Sequence, residues 1–248
     1  MTGWPYDLEE DVTPRLGLIV LQVDETIEQD FRRLFAPDRV KLHVNRIPSG
    51  ADLTPHSIAQ METALPDAAG LLPGPLAVVG YACTSGTAQI GAGRIRDLIL
   101  GATQAGAVTD PLSAALARFQ SLGLTRIGIV SPYIAPVAEP IRAAFETAGL
   151  TVPATRSFGE EVEAKVARIA PASIADAARD LAEKAPVDGI FLSCTNMRTL
   201  DILDSLSQEL GVPVLGSNQC LAWHMARLAG ITPPHPPGAR KADNSGAS

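Results

Sequence analysis

Leu76-Ala77-Val78-Val79-Gly80-Tyr81-Ala82-Cys83-Thr84-Ser85 is followed far along the chain by an echo, Gly189-Ile190-Phe191-Leu192-Ser193-Cys194-Thr195-Asn196. Each is a short apolar run that stops at Cys-Thr and a polar residue. Such a run reads as a strand buried on both faces, as in a parallel sheet. The two cysteines are 111 residues apart, and the same offset relates Gly17-Leu18-Ile19-Val20 to Gly128-Ile129-Val130. One offset shared by two matches, with the same strand order around them, marks a duplication. Each unit also ends in an Ala/Leu-rich helical pattern closed by a glycine, Gly123 or Gly230.

Outward from these runs, strands are expected at Leu16–Leu21, Lys41–Val44, Leu76–Tyr81, Arg126–Ser131, Gly189–Ser193 and Pro213–Leu215. Amphipathic stretches alternate with them at Ser57–Ala64, Gly91–Leu100, Ile141–Ala148, Ile174–Ala185 and Thr199–Glu209, and Pro55 and Pro140 sit where helix starts are expected. Strands alternating with helices predict parallel sheets covered on both faces. The expected fold is α/β: two similar parallel-sheet halves, residues 13–122 and 123–230, related by a pseudo-twofold with the active site between them. The final helix of one half can pack on the other. Residues 231–248, rich in proline and then in small polar residues, read as a flexible tail.

The 248 residues carry 20 Lys plus Arg against 27 Asp plus Glu, a net charge of −7, which argues against nucleic acid as a partner. Apolar residues make up 46% but aromatics only 4%, so the core is expected to be aliphatic. Met1–Asp11 holds four acidic residues, Asp7, Glu9, Glu10 and Asp11, the opposite of a basic, apolar leader. No apolar run reaches the roughly 18 residues of a membrane span. Three cysteines cannot build a disulfide framework and fit a reducing compartment. Together these lead to the expectation of a soluble, cytoplasmic protein with no membrane partner.

In an open parallel sheet, ligands collect at the carboxyl ends of strands. Cys83 and Cys194 both stand there, just before an expected helix whose free N–H groups and positive field lower a thiol pKa. A pseudo-twofold lets them face each other across one cleft. Thr84, Ser85, Thr195 and Asn196 would line it with donors suited to a small carboxylate. Two opposed thiols are what inversion at a carbon needs. One thiolate removes a proton next to a carboxylate, and the other thiol returns one to the opposite face. Alternatively a thiolate adds to an activated double bond, the new single bond rotates, and the thiolate leaves. Neither route calls for a cofactor or a metal. A buried cysteine is ordinarily a small hydrophobe; the symmetric placement is what argues for more.

Val78-Val79-Gly80-Tyr81-Ala82-Cys83-Thr84-Ser85-Gly86-Thr87, then Ser131-Pro132-Tyr133, then Ser193-Cys194-Thr195-Asn196 resemble the aspartate/glutamate racemase superfamily, in its maleate cis-trans isomerase and arylmalonate decarboxylase branch. The resemblance spans nearly all of Leu16–Gly230. It places Cys83 and Cys194 at the paired thiol positions, Tyr133 at a substrate-contacting tyrosine, and Thr84 and Ser85 at carboxylate-binding positions. The decarboxylases of the group keep only the second cysteine, so Cys83 favours an isomerase or racemase. Two departures concern the substrate. Asp24, in Val23-Asp24-Glu25-Thr26, stands where maleate isomerases carry Asn, and Glu163 is the best match to a second family Asn. An ionised carboxylate accepts hydrogen bonds but cannot donate, and it repels a second carboxylate. Asp24 therefore suits an ammonium group, or assists proton transfer as acidic residues do in the amino-acid racemases. The run Leu21-Gln22-Val23-Asp24-Glu25-Thr26-Ile27-Glu28 also resembles the ectoine-utilisation branch, which implies an amino or diamino acid derivative.

Other features have plainer readings. Cys220 and His224 are four apart in an expected helix, Gln219–Leu228, but no Cys-x-x-Cys accompanies them, and a packed helix face is favoured over a metal site. Gly91-Ala92-Gly93 is too short for a dinucleotide fingerprint, His56 belongs to a helix start, and Arg32-Arg33 to a solvated face. The expected protein is a cofactor-independent isomerase or racemase acting on a small carboxylate, and a homo-oligomer. The competing expectation is a cleft that binds a small acid without chemistry.

Overall fold

The computed structural model describes residues 3–52 and 54–234. The order is β1 (Arg15–Leu21), α1 (Ile27–Leu34), β2 (Lys41–Ile47), α2 (Pro55–Gly70), β3 (Leu76–Ala82), α3 (Thr84–Ile90), α4 (Ala92–Ala102), β4 (Ala105–Thr109) and α5 (Pro111–Leu122). It continues with β5 (Ile127–Ser131), α6 (Ala135–Thr147), β6 (Thr155–Ser157), α7 (Glu163–Val166), α8 (Pro171–Lys184), β7 (Gly189–Leu192), α9 (Leu203–Leu210), β8 (Val214–Gly216) and α10 (Ser217–Leu228). Two four-stranded parallel sheets result, ordered β2-β1-β3-β4 and β6-β5-β7-β8. The strand orders are the same, so the duplicated sequence builds a duplicated α/β topology.

The central strands β1, β3, β5 and β7 are buried almost throughout. Their glycines allow close helix packing. A Cβ on Gly17 would stand 2.9 Å from a Leu72 methyl, and one on the equivalent Gly128 would overlap the Leu181 side chain. The last helix of the first repeat and that of the second are exchanged. α10 packs on α5 and on β3 and β4 of the first sheet. Phe119 of α5 reaches the opposite way, edge-to-face with Phe145 of α6 and Phe191 of β7 at 5.5 and 5.8 Å. Each such aromatic pair adds about 1 kcal/mol beyond burial, so the two sheets are held as one core.

Several boundaries differ from the sequence expectation. β4 and β6 are unforeseen strands, because Ala105-Gly106-Ala107 and Thr155-Arg156-Ser157 lack an apolar run; both lie at sheet edges, where little side chain is buried. α6 starts at Ala135 rather than near Pro140, which sits inside the helix. Residues 200–202 form turns before α9, so that helix is shorter than expected. Most of the expected tail, residues 235–248, lies outside the described residues. No described helix is long and apolar enough to cross a membrane.

Candidate active site

Cys83 directly follows β3 and is the N-cap of α3, where its Sγ accepts the Gly86 N–H at 3.1 Å and lies 3.6 Å from Ser85 Oγ. Gly86 is required there: a Cβ on it would stand 2.6 Å from Tyr81 Oη and 2.9 Å from Cys83 Sγ. Cys194 follows β7, with the Asn196 N–H 3.4 Å from its Sγ and the Tyr133 hydroxyl as a further partner. No helix starts after Cys194, because residues 193–202 run as bends and turns to α9. The expected helix N-terminus therefore serves Cys83 alone.

Other expected site residues converge on these strand ends. Thr195 Oγ1 lies 3.4 Å from the Ala82 carbonyl, and Thr84 Oγ1 lies 3.1 Å from Ser217 Oγ, so each Cys-Thr step touches the other repeat. Tyr133, beyond β5, is fully buried, and both thiols raise its phenol pKa after burial itself. Asp24, beyond β1, accepts the Thr26 and Ile27 N–H groups on Oδ1 at 2.8 and 2.9 Å. Its Oδ2 is buried with no hydrogen-bond partner among the described residues.

Glu163, the first residue of α7, is only 2% exposed. Asn196 Nδ2 donates to Glu163 Oε2 at 2.7 Å and approaches its carbonyl at 3.2 Å, while Asn196 Oδ1 accepts the Glu25 N–H at 2.8 Å. The Asn196 amide is thus already committed to holding Glu163, not free to meet a substrate carboxylate. Asn218 is a further residue that sequence reasoning did not single out. Its Nδ2 donates to Asp30 Oδ2 and to the Thr195 carbonyl, both at 2.8 Å. Its place two residues past β8 was the available signal, since strand ends gather functional groups.

Electrostatics overturn the expectation of lowered thiol pKa values. Burial pushes Cys83 up to about 11; Ser85 and the Gly86 N–H oppose this, while Glu163 and Asp24 add to it. Burial, then Glu163, drives Cys194 well above its ordinary value, against the Tyr133 and Asn196 bonds. Burial raises Glu163 to about 7, with Asn196 opposing and Asp24 adding. Burial likewise raises Asp24, against the Ile27 and Thr26 N–H groups, Thr195 and Arg46. Two carboxyls and two thiols therefore share one low-dielectric region. A depression of about 440 Å³ bordered by Val23, Asp24, Arg46, Ala51 and Glu163 opens beside the two carboxyls. Cys220 is buried in α10, and His224 Nδ1 meets Thr109 Oγ1 at 2.8 Å. Among the described residues no group of three or more His, Cys, Asp or Glu could hold a metal.

Two parallel sheets of equal order, with a cysteine at the carboxyl end of an equivalent strand in each, define an enzyme of the Asp/Glu racemase-like fold. The arylmalonate decarboxylase family matches residues 92–241, and the chain belongs to that family. The arylmalonate decarboxylase of Bordetella bronchiseptica is 31% identical over 230 residues, 90% of this chain and 93% of that protein. The maleate isomerase of Nocardia farcinica is 26% identical over 232 residues, 86% of this chain and 89% of that protein. A solved structure of a Nocardia farcinica maleate cis-trans isomerase mutant with a covalently bound succinylcysteine intermediate aligns with a TM-score of 0.77. Its identity is 23%, over 88% of this chain and 94% of that one.

Proposed function

We propose that the protein is a cofactor-independent isomerase or racemase that uses Cys83 and Cys194 as opposed acid–base groups at a carbon next to a carboxylate. The carrying observation is that both thiols stand just past equivalent strands and are raised by the same two carboxyls, Glu163 and Asp24, while both act in turn on Tyr133. One thiolate takes the proton from one face, the carbanion is held beside the carboxylate, and the other thiol delivers a proton to the other face. In this reading Ser85, Thr84 and the N–H groups at the start of α3 receive the carboxylate.

The acid pair shapes the substrate. Passing a proton from Cys83, near 11, to Glu163, near 7, opposes the transfer by about four pKa units, on the order of 5 kcal/mol in the empty site. An ammonium group placed against Asp24 Oδ2 offsets the negative field that raises both thiols. A second carboxylate there adds to that field. An amino acid or amino-acid derivative therefore fits better than maleate. The 31% identical decarboxylase supports a second reading, decarboxylation through Cys194 alone; Cys83 argues against it.

The test is incubation in deuterated water with a panel of amino acids, with maleate and with an arylmalonate, followed by NMR and chiral analysis. Deuterium entry at the α-carbon with inversion of an amino acid is expected. Fumarate formation from maleate as the dominant activity would contradict the cationic substrate. Decarboxylation of the arylmalonate without any inversion would replace the isomerase reading.

A further inference from the structure

Two uncovered surfaces of opposite character lie away from the cysteines. Residues 3–12 precede β1 without helix or strand, and Trp4, Tyr6, Leu8 and Val12 are 80–89% exposed. Trp4, Tyr6 and Leu8 occupy alternate positions, so an extended arm presents them on one side. The arm also carries Asp7, Glu9 and Glu10, and Asp11 roots it through ion pairs to Lys41 and Arg15.

The second surface is the seam between α5 and α10. The guanidinium carbons of Arg118 and Arg227 each lie 4.9 Å from the centre of the Trp223 ring. Neither arginine forms an ion pair among the described residues, although most arginines of the chain do. Depressions of about 200 and 420 Å³ both border Trp223, one with Arg118 and Pro233, the other with Arg227 and Leu228. Leu122 and Leu228, at the ends of the two helices, are exposed beside it. In a chain of net charge −7, this seam is basic, aromatic and apolar.

We propose that the α5–α10 seam receives the N-terminal arm of a second copy of this chain, its acidic residues against Arg118 and Arg227 and its aromatic side chains in the depressions beside Trp223. The charges are complementary, and tryptophan, tyrosine and arginine are the residues that dominate interface energetics. In the single chain neither surface covers the other. The arm is rooted at β2, the edge strand on the far side of β1 from β3, whereas α10 packs on β3 and β4. A second copy brings both surfaces at once, and a twofold exchange makes the arm–seam contact twice, covering every arm and every seam.

The test is the solution mass of the full chain by light scattering and sedimentation, with variants that keep the core intact. Twice the chain mass is expected for the unmodified protein. Trp4→Ala/Tyr6→Ala/Leu8→Ala and Arg227→Glu are each expected to weaken the dimer about tenfold or more, with unchanged circular dichroism. Adding Glu9→Lys/Glu10→Lys to Arg227→Glu should restore association, and a peptide of residues 3–13 should dissociate the dimer. A monomeric unmodified chain overturns the proposal, including the case in which the peptide still binds it. A dimer unaffected by both the arm variant and Arg227→Glu overturns it equally.

Discussion

Asn196 Nδ2 donates to Glu163 Oε2 at 2.7 Å, so the residue two places after Cys194 holds the carboxyl that most raises the Cys194 thiol after burial. Removing that amide removes the bond that lowers the Glu163 pKa. Asn196→Ala is expected to move the Glu163 titration above 7, shifting the corresponding limb of the pH–rate profile upward. It also strands buried partners, at a cost of about 1–3 kcal/mol. A profile measured across pH 5–9 checks the shift, and an unchanged limb would detach Glu163 from the rate.

Glu163 is ordinarily half-protonated near 4.5 but near 7 in the folded protein. The folded state thus binds the extra proton between those values, and stability falls as pH rises through that window. The full cost is present above 7 and absent below 4.5, up to about 3 kcal/mol. Glu163→Gln, which keeps an acceptor for Asn196, should raise the melting temperature at pH 8 and leave it nearly unchanged at pH 4. Activity should fall by about 10² or more if the carboxyl assists the thiols. Equal thermal shifts at both pH values would contradict the buried-acid account.

Tyr133 lowers the Cys194 pKa by its hydrogen bond, against burial. Tyr133→Phe keeps the buried ring and deletes the bond, so the thiol should rise further. Alkylation of Cys194, followed by mass spectrometry against pH, should then begin at higher pH than in the unmodified protein. An unshifted onset would show that the hydroxyl does not act on this thiol.

Gly86→Ala places a methyl where Tyr81 Oη and Cys83 Sγ now approach, at 2.6 and 2.9 Å. A displacement of either group misaligns the reacting atoms, and misplacement near 1 Å costs about 10²-fold. Activity is expected to fall by that order while the melting temperature drops only a few degrees. Steady-state kinetics beside a thermal melt separates the two.

The parts of the fold legible in the sequence are those in which burial leaves a mark on composition. β1, β3, β5 and β7 are buried almost throughout and read as apolar runs. β6, three residues of Thr-Arg-Ser at a sheet edge, buries little and leaves no pattern. The cysteines were visible because duplication repeats Cys-Thr at one offset. Glu163 was visible only through its alignment with a family asparagine. The Asn218–Asp30 bond joins residues 188 apart, and only the place of Asn218 just past β8 points to it. The thiol pKa values also needed the fold, since a helix N-terminus was foreseeable but complete burial beside two carboxyls was not.

The central claim is that Cys83 and Cys194 serve opposite faces of one carbon. Its most direct test is solvent deuterium entry into each enantiomer of the active amino-acid substrate with Cys83→Ser and Cys194→Ser. The account predicts that each variant loses inversion by about 10³-fold or more, and that each retains exchange with one enantiomer only, the opposite one in each case. Wild-type inversion in both single variants would contradict it.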